Sequence, residues 1–202
     1  MNGYSDDINH AFAFAAKYRA PFAPAEGEMA FMAHPANVAV ILARHGADEV
    51  TLVAGILHSV LEVTPRRALE SVAAKIEDKF GISVLALARE AFETRETELG
   101  TPLTWLQRKH NVLLQVLVMS PRALDICCAD EIHQCGTALA TIERLGVEYL
   151  ALNGFPSTAA ELRAIDDILA ALDRRIDWPP RGMKTELHSL RTRLATALAE
   201  AG

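Results

Sequence analysis

The stretch DEVTLVAGILHSVLEV, residues 48–63, is apolar nearly all the way round a helical wheel. A helix with no polar face has no side to turn toward water, so it belongs at the centre of a bundle with neighbours around it. Thr64-Pro65 ends the run, because proline disfavours helical backbone in the residue before it. Polar side chains inside such a helix, here His58, Ser59 and Glu62, need partners, since an unsatisfied buried polar group costs about 1–3 kcal/mol.

The rest of the chain supplies the neighbours. INHAFAFAAKYR carries apolar residues at helical spacing up to Tyr18, with Asp7 as a capping residue, and PFAPAEGEM breaks it. A second helix follows His34-Pro35 and runs through ANVAVILARH to Gly46, a natural stop. Beyond residue 64 come RRALESVAAKIEDKFG, closed by Gly81, and ISVLALAREAFETRE. After the polar connection TELGTP the helix LTWLQRKHNVLLQVLVM begins, and Ser120-Pro121 separates it from RALDICCADEIHQCGTALATIERLG. The last third reads as STAAELRAIDDILAALDRRI and TELHSLRTRLATALAEA, with a turn at Trp178-Pro179-Pro180. There is no strand-like alternation, Gly-rich phosphate loop or G-x-S-x-G elbow. The expectation is an all-α multi-helix bundle, one domain over residues 1–202 with 176–202 as a C-terminal helical extension. Its chemistry would come from side chains pointing inward from helices.

Composition narrows the function classes. Half of the 202 residues are apolar, only 6% are aromatic, and the net charge of −6 comes from interspersed acids and bases. No basic field is available to gather a polyanionic backbone, so nucleic acid is not expected as a partner. No apolar run approaches the ~18 residues of a membrane span, and MNGYSDDINH lacks the basic-then-apolar plan of a signal peptide. A soluble cytoplasmic protein is expected. Cys127, Cys128 and Cys135 lie within nine residues and suit reduced intracellular thiols. Together with His133 they lack the paired C-x2-C geometry of a structural zinc site and read as small buried hydrophobes.

Three polar residues sit in apolar settings on three separate helices: His34, His58 and Asp130. Two imidazoles and a carboxylate make a plausible divalent-metal set, and three unrelated, individually satisfied core groups are the other reading. His58 and Glu62, four residues apart, share a helix face, while Ser59 lies about 100° round from His58. A metal-free His58–Glu62 hydrogen bond is the simpler alternative for that pair.

The ordered set FAFAAKYR, AHPANVAVILA, LVAGILHSVLEVT, KFG, TWLQRK and CADEIHQ resembles the HD-domain phosphohydrolases. Within them it is similar to the branch that holds the hydrolase domains of Rel/SpoT alarmone enzymes and the small alarmone hydrolases. The resemblance runs from about residue 10 to 175. It implies an HD-type helical fold, a manganese or zinc ion, and hydrolysis of a phosphorylated nucleotide such as ppGpp. It also implies His34, His58 and Asp130 as ligands and Glu62 as the group that positions or activates the attacking water.

The chain departs from that pattern in several places. The aspartate of the HD pair is Ser59, and the aspartate after the family's glutamate is Val63. A neutral hydroxyl in place of a carboxylate removes one negative charge from the ligand set, so divalent affinity should fall. The family's basic pair after the first helix is missing from RAPFAPAEG. Arg19 stands there and either contacts phosphate or forms a salt bridge with Asp130 or Glu62 where the metal would sit. Arg108 and Lys109 match a basic pair of the family, on what is equally a solvated helix face. Gln134 replaces an asparagine, and Thr137 lies near a nucleotide-contacting position. The expected activity is metal-dependent phosphohydrolysis. The alternative is a catalytically degenerate HD-fold protein that binds nucleotide or regulates, and self-association into a homo-oligomer through the helical tail is a further expectation.

Overall fold

The computed structural model describes residues 5–22, 32–148, 150, 158–178 and 182–201. The expected all-α class holds: among these residues the regular structure is helical, with one isolated antiparallel bridge between Glu96 and Pro102. The chain forms two compact units, Met1–Leu103 and Thr104–Gly202.

The first unit holds α1 (Asp6–Arg19), α2 (Ala33–Arg44), α3 (Glu49–Val63), α4 (Arg66–Phe80) and α5 (Ile82–Ala91). α3 is the all-apolar stretch, and it packs against each of the other four. Every residue from Thr51 to Glu62 is buried, so this helix is a central rod rather than an amphipathic one. Its start is fixed by Asp48, whose carboxylate accepts from the Thr51 N–H at 2.9 Å and the Thr51 hydroxyl at 2.8 Å. α2 ends in a Schellman turn: Ala47 N–H bonds Leu42 O at 3.0 Å and Gly46 N–H bonds Ala43 O at 3.1 Å. The positive φ of 78° at Gly46 is what lets the chain reverse there and begin α3 three residues later.

Two boundaries differ from the sequence reading. Ser5, not Asp7, is the N-cap of α1, and Asp6 and Asp7 lie in the first turn against the positive end of the helix dipole. α5 stops at Ala91 instead of continuing to Glu96, because Phe92 takes extended backbone and the Glu93 N–H is drawn to the buried Glu62 carboxylate at 3.2 Å. Residues 92–103 then form a loop fastened by Leu103 N–H to Arg95 O and Arg66 N–H to the Glu96 carboxylate, both 2.8 Å. The break expected at PFAPAEGEM falls largely on residues 23–31, outside the described residues.

The second unit holds α6 (Trp105–Val116), α7 (Pro121–Leu145), α8 (Thr158–Asp173) and α9 (Met183–Ala201). α6 begins at a capping box in which Thr104 and Gln107 satisfy each other's backbone N–H groups. Ser120 caps α7, with Pro121 at its first position. α7 packs on α9, and α8 on both α6 and α9. The stretch read as an extension contributes Trp178, Met183, Leu187 and Leu194 to this unit's buried apolar set. The Trp178 indole donates to the buried Asp125 carboxylate at 2.9 Å, while Pro179 and Pro180 lie outside the described residues. Arg175 donates to the carbonyls of Val116 and Met119 at 2.6 Å each, satisfying backbone acceptors at the end of α6. Among the described residues no helix is long and apolar enough to cross a membrane.

Candidate metal centre

Three side chains of the first unit meet: His34 from the first turn of α2, and His58 and Glu62 one turn apart on α3. Each offers a ligand atom, and the three atoms lie within 4.8 Å of one another. The two imidazole rings are 5.5 Å apart between centroids and inclined at 57°. His58 is fully buried, and its Nδ1–H donates to Gly55 O at 2.6 Å. A carbonyl only accepts, so Nδ1 carries a proton and Nε2 is the nitrogen left to offer a lone pair, and a backbone anchor of this kind is how metal-ligating histidines are oriented.

That Nε2 is buried and makes no hydrogen bond. Glu62 Oε1 lies 3.8 Å from it, too far for the hydrogen bond that would have made the pair self-sufficient. A buried nitrogen lone pair without a donor is an energetic liability that a cation would relieve, and two imidazoles with one carboxylate are an ordinary donor set for zinc or manganese. The residues therefore fit a divalent ion.

The protonation states agree with this. Burial brings His34 down from 6.5 to about 3, with His58, Arg19 and Arg95 adding to the effect against the opposing pull of Glu62. The imidazole is neutral near pH 7, the form that binds metal. For Glu62, burial opposes ionisation, but Arg95 foremost, then the two histidines and the Glu93 N–H, hold the carboxyl well below its ordinary range. Arg95 Nη2 sits 3.3 Å from Glu62 Oε2.

Arg95 was not among the residues singled out from sequence. A buried glutamate demands a cation or several donors, but ETRE reads as the end of a helix, and only the loop places Arg95 and the Glu93 N–H on Glu62. Beside them a cavity of about 340 Å³ opens, lined by Glu62, Thr64, Arg66, Phe92, Thr94 and Arg95 among others.

The other expected residues are placed as follows. Ser59 is fully buried, and its hydroxyl donates to Ile56 O on its own helix at 2.8 Å. Arg19 donates to the Ser59 carbonyl at 2.7 Å, so this guanidinium braces the backbone of α3, and Arg95 contacts Glu62. Asp130 belongs to the second unit, half-buried on α7, where it accepts from Gln134 Nε2 at 2.7 Å. Lys109 is not on a solvated face: it is buried, with Nζ 3.0 Å from Glu131 Oε1 and 2.8 Å from Gln134 Oε1. Glu131 and Asp125, which sequence reading passed over, are buried more deeply than Asp130. Arg108 is half-buried on α6, and Thr137 is exposed on α7. Cys127, Cys128 and Cys135 are buried and, among the described residues, in no disulfide, and burial raises Cys127 and Cys128 well above the usual thiol range.

Comparison with known proteins bears on the fold and the family. The chain resembles the 1.85 angstrom crystal structure of lmo0812 from Listeria monocytogenes EGD-e, with a TM-score of 0.63 and 21% identity over 83% of this chain and 99% of that one. It also resembles a metazoan ortholog of SpoT described as hydrolysing ppGpp, with a TM-score of 0.60 and 19% identity over 100% of this chain and 99% of that one. At these identities the likeness speaks to fold. No curated protein matches the sequence. The HD domain pattern matches residues 11–113, a span that takes in His34, His58 and Glu62. The chain belongs to the HD domain family.

Proposed function

We propose that this protein is a metal-dependent phosphohydrolase acting on a phosphorylated nucleotide, with His34 and His58 holding a manganese or zinc ion. The observation that carries this reading is the buried His58 Nε2, anchored through Nδ1 and left without a hydrogen bond beside His34 and Glu62. When bound, such an ion lowers the pKa of a coordinated water and neutralises charge on phosphoryl oxygens. Glu62, kept ionised by Arg95, orients a water through its carboxylate. Arg66 and Arg95 line the adjoining cavity and offer cationic contacts to a phosphoryl group. A guanosine polyphosphate whose 3′-pyrophosphate is released is the first substrate to try, given the resemblance to alarmone hydrolases. Reduced, buried thiols support work in the reducing cytoplasm.

The test is metal content after chelator-free purification, together with manganese-dependent release of phosphate or pyrophosphate from a panel of nucleotides. Substoichiometric metal, or turnover that His58→Ala leaves intact, would sink the reading. The ligand role that the resemblance gives Asp130 is tested in parallel with Asp130→Ala.

A second reading, a nucleotide-binding HD protein without turnover, draws on Ser59, whose hydroxyl is turned to Ile56 O, and on the Arg95 contact to Glu62. Metal-free protein whose Tm rises with guanine nucleotides, while no substrate turns over, would favour it. Size-exclusion mass measurement addresses the proposed homo-oligomer.

A further inference from the structure

We infer that Glu62 is itself a metal ligand in this chain, supplying the anionic donor that Ser59 no longer provides. The inference rests on the metal-centre reading above and changes the role of Glu62 within it, from orienting a water to holding the ion.

The position next to His58 carries no charge. Ser59 carries a neutral hydroxyl, and its proton is directed along its own helix to Ile56 O at 2.8 Å. Successive residues of a helix are rotated by about 100°, so Ser59 stands to one side of His58, and its short hydroxyl is taken up by the backbone. Glu62, four residues on, returns to that side. Its Oε1 is 3.8 Å from His58 Nε2, and His34 brings its own ligand atom within 4.8 Å.

That separation suits a shared ion better than any direct contact. Two ligand atoms each about 2.1 Å from one ion, at a tetrahedral angle, lie about 3.4 Å apart. The observed 3.8 Å is a few tenths of an ångström wider, within what a small side-chain rotation closes. A direct hydrogen bond would need a proton on Nε2, but the anchoring contact to Gly55 O places it on Nδ1.

The surroundings of Glu62 are those of a ligating carboxylate. Oε2 faces Arg95 at 3.3 Å, and Oε1 accepts the Glu93 N–H at 3.2 Å. Ligating carboxylates are commonly held by such outer hydrogen bonds, which fix their orientation. The set becomes two imidazoles and one carboxylate, a combination that zinc hydrolases use while leaving coordination positions for water and substrate.

The test measures metal affinity rather than turnover. Zinc and manganese dissociation constants of the full chain would be determined by chelator competition for wild type, Glu62→Gln, His58→Ala, and Glu62→Gln combined with Ser59→Asp. The cobalt(II) absorption spectrum of each gives a second readout of the ligand set. The expected result is affinity at least tenfold weaker in Glu62→Gln, an altered cobalt spectrum, and recovery of affinity when Ser59→Asp restores a carboxylate. Wild-type affinity and spectrum in Glu62→Gln, with binding lost in His58→Ala, would overturn the inference and leave the metal-centre reading standing. Absence of metal binding by wild type would overturn both. Far-UV circular dichroism reports whether each variant folds, and Glu62→Asp, with its shorter reach, takes the place of Glu62→Gln if that variant fails to fold.

Discussion

Each unit buries a cluster of polar side chains, and the two clusters solve the same problem differently. In the second unit, Lys109 binds Glu131 at 3.0 Å and Gln134 at 2.8 Å, and Gln134 binds Asp130 at 2.7 Å. The bonds are short and run on from one group to the next, linking α6 and α7. In the first unit the distances are longer, 3.2 to 3.8 Å around Glu62, and His58 Nε2 is left without a hydrogen bond. Short charge-assisted bonds tie two helices together, whereas the longer contacts beside the His58 lone pair are the feature on which the proposed metal site rests.

If that contrast is right, the two clusters respond to different perturbations. The largest effect is expected for Lys109→Ala, which removes the cation that lies 3.0 Å from the buried Glu131 carboxylate. Removing one partner of a buried ion pair costs about 3–5 kcal/mol, so denaturant unfolding should show a loss of that order. A loss below about 1 kcal/mol would mean that the network is not a structural link.

Metal should separate the clusters next. Zinc or manganese at about 100 times its dissociation constant stabilises a specific binder by about 2.7 kcal/mol. Thermal unfolding should register that gain in wild type and lose it in His58→Ala, while Arg122→Ala, a substitution at an exposed position of α7, should keep it. A gain that survives His58→Ala would place the metal elsewhere.

Acid gives a smaller and graded effect on the metal-free protein. His34 titrates near 6.5 when unfolded and near 3 when folded, so the unfolded chain binds more protons between those values and stability falls as pH drops through that window. From neutrality to about pH 5 the loss is up to about 2 kcal/mol, and His34→Gln should flatten it. Glu62 adds to the loss only below about 4.5, since its folded carboxyl is depressed. Stability rising as pH falls from 7 to 5 would contradict the buried, neutral state of His34.

The smallest effect is the surface reference. Arg191 pairs with Asp166 at 2.6 and 2.7 Å across two partly exposed side chains of α9 and α8. Arg191→Ala should cost no more than about 1 kcal/mol and should be sensitive to salt. A larger cost would show that exposed pairs carry stability comparable to that of the buried clusters.

Much of this was legible in the residues because each signal is local. The apolar run of α3 declared a central helix, Gly46 and Gly81 marked helix ends, and His34 and His58 stood out as imidazoles in apolar settings on separate helices. The ordered motifs added the HD family, which the match over residues 11–113 bears out. Asp130 was conspicuous for the same local reason, but ICCADEI does not reveal that Glu131 is the more buried acid or that Lys109 reaches it from α6. A lysine at that spacing reads equally well as solvated, since its charge gives no sign of what lies across from it.

What the sequence determined by itself was therefore the helical class, the order of the helices and the identity of the histidines, because periodicity, end signals and residue chemistry are properties of short stretches. What only tertiary structure decided was who meets whom. ETRE left the expected helix because a buried carboxylate on α3 attracts the Glu93 N–H and Arg95 more strongly than one more helical turn favours them. Ser59 turned its hydroxyl to its own backbone, and Glu62 came to rest at 3.8 Å from His58 for the same reason. Satisfying groups buried in a dry interior depends on what packing brings within hydrogen-bond reach, and that distance is written in no single stretch of the chain.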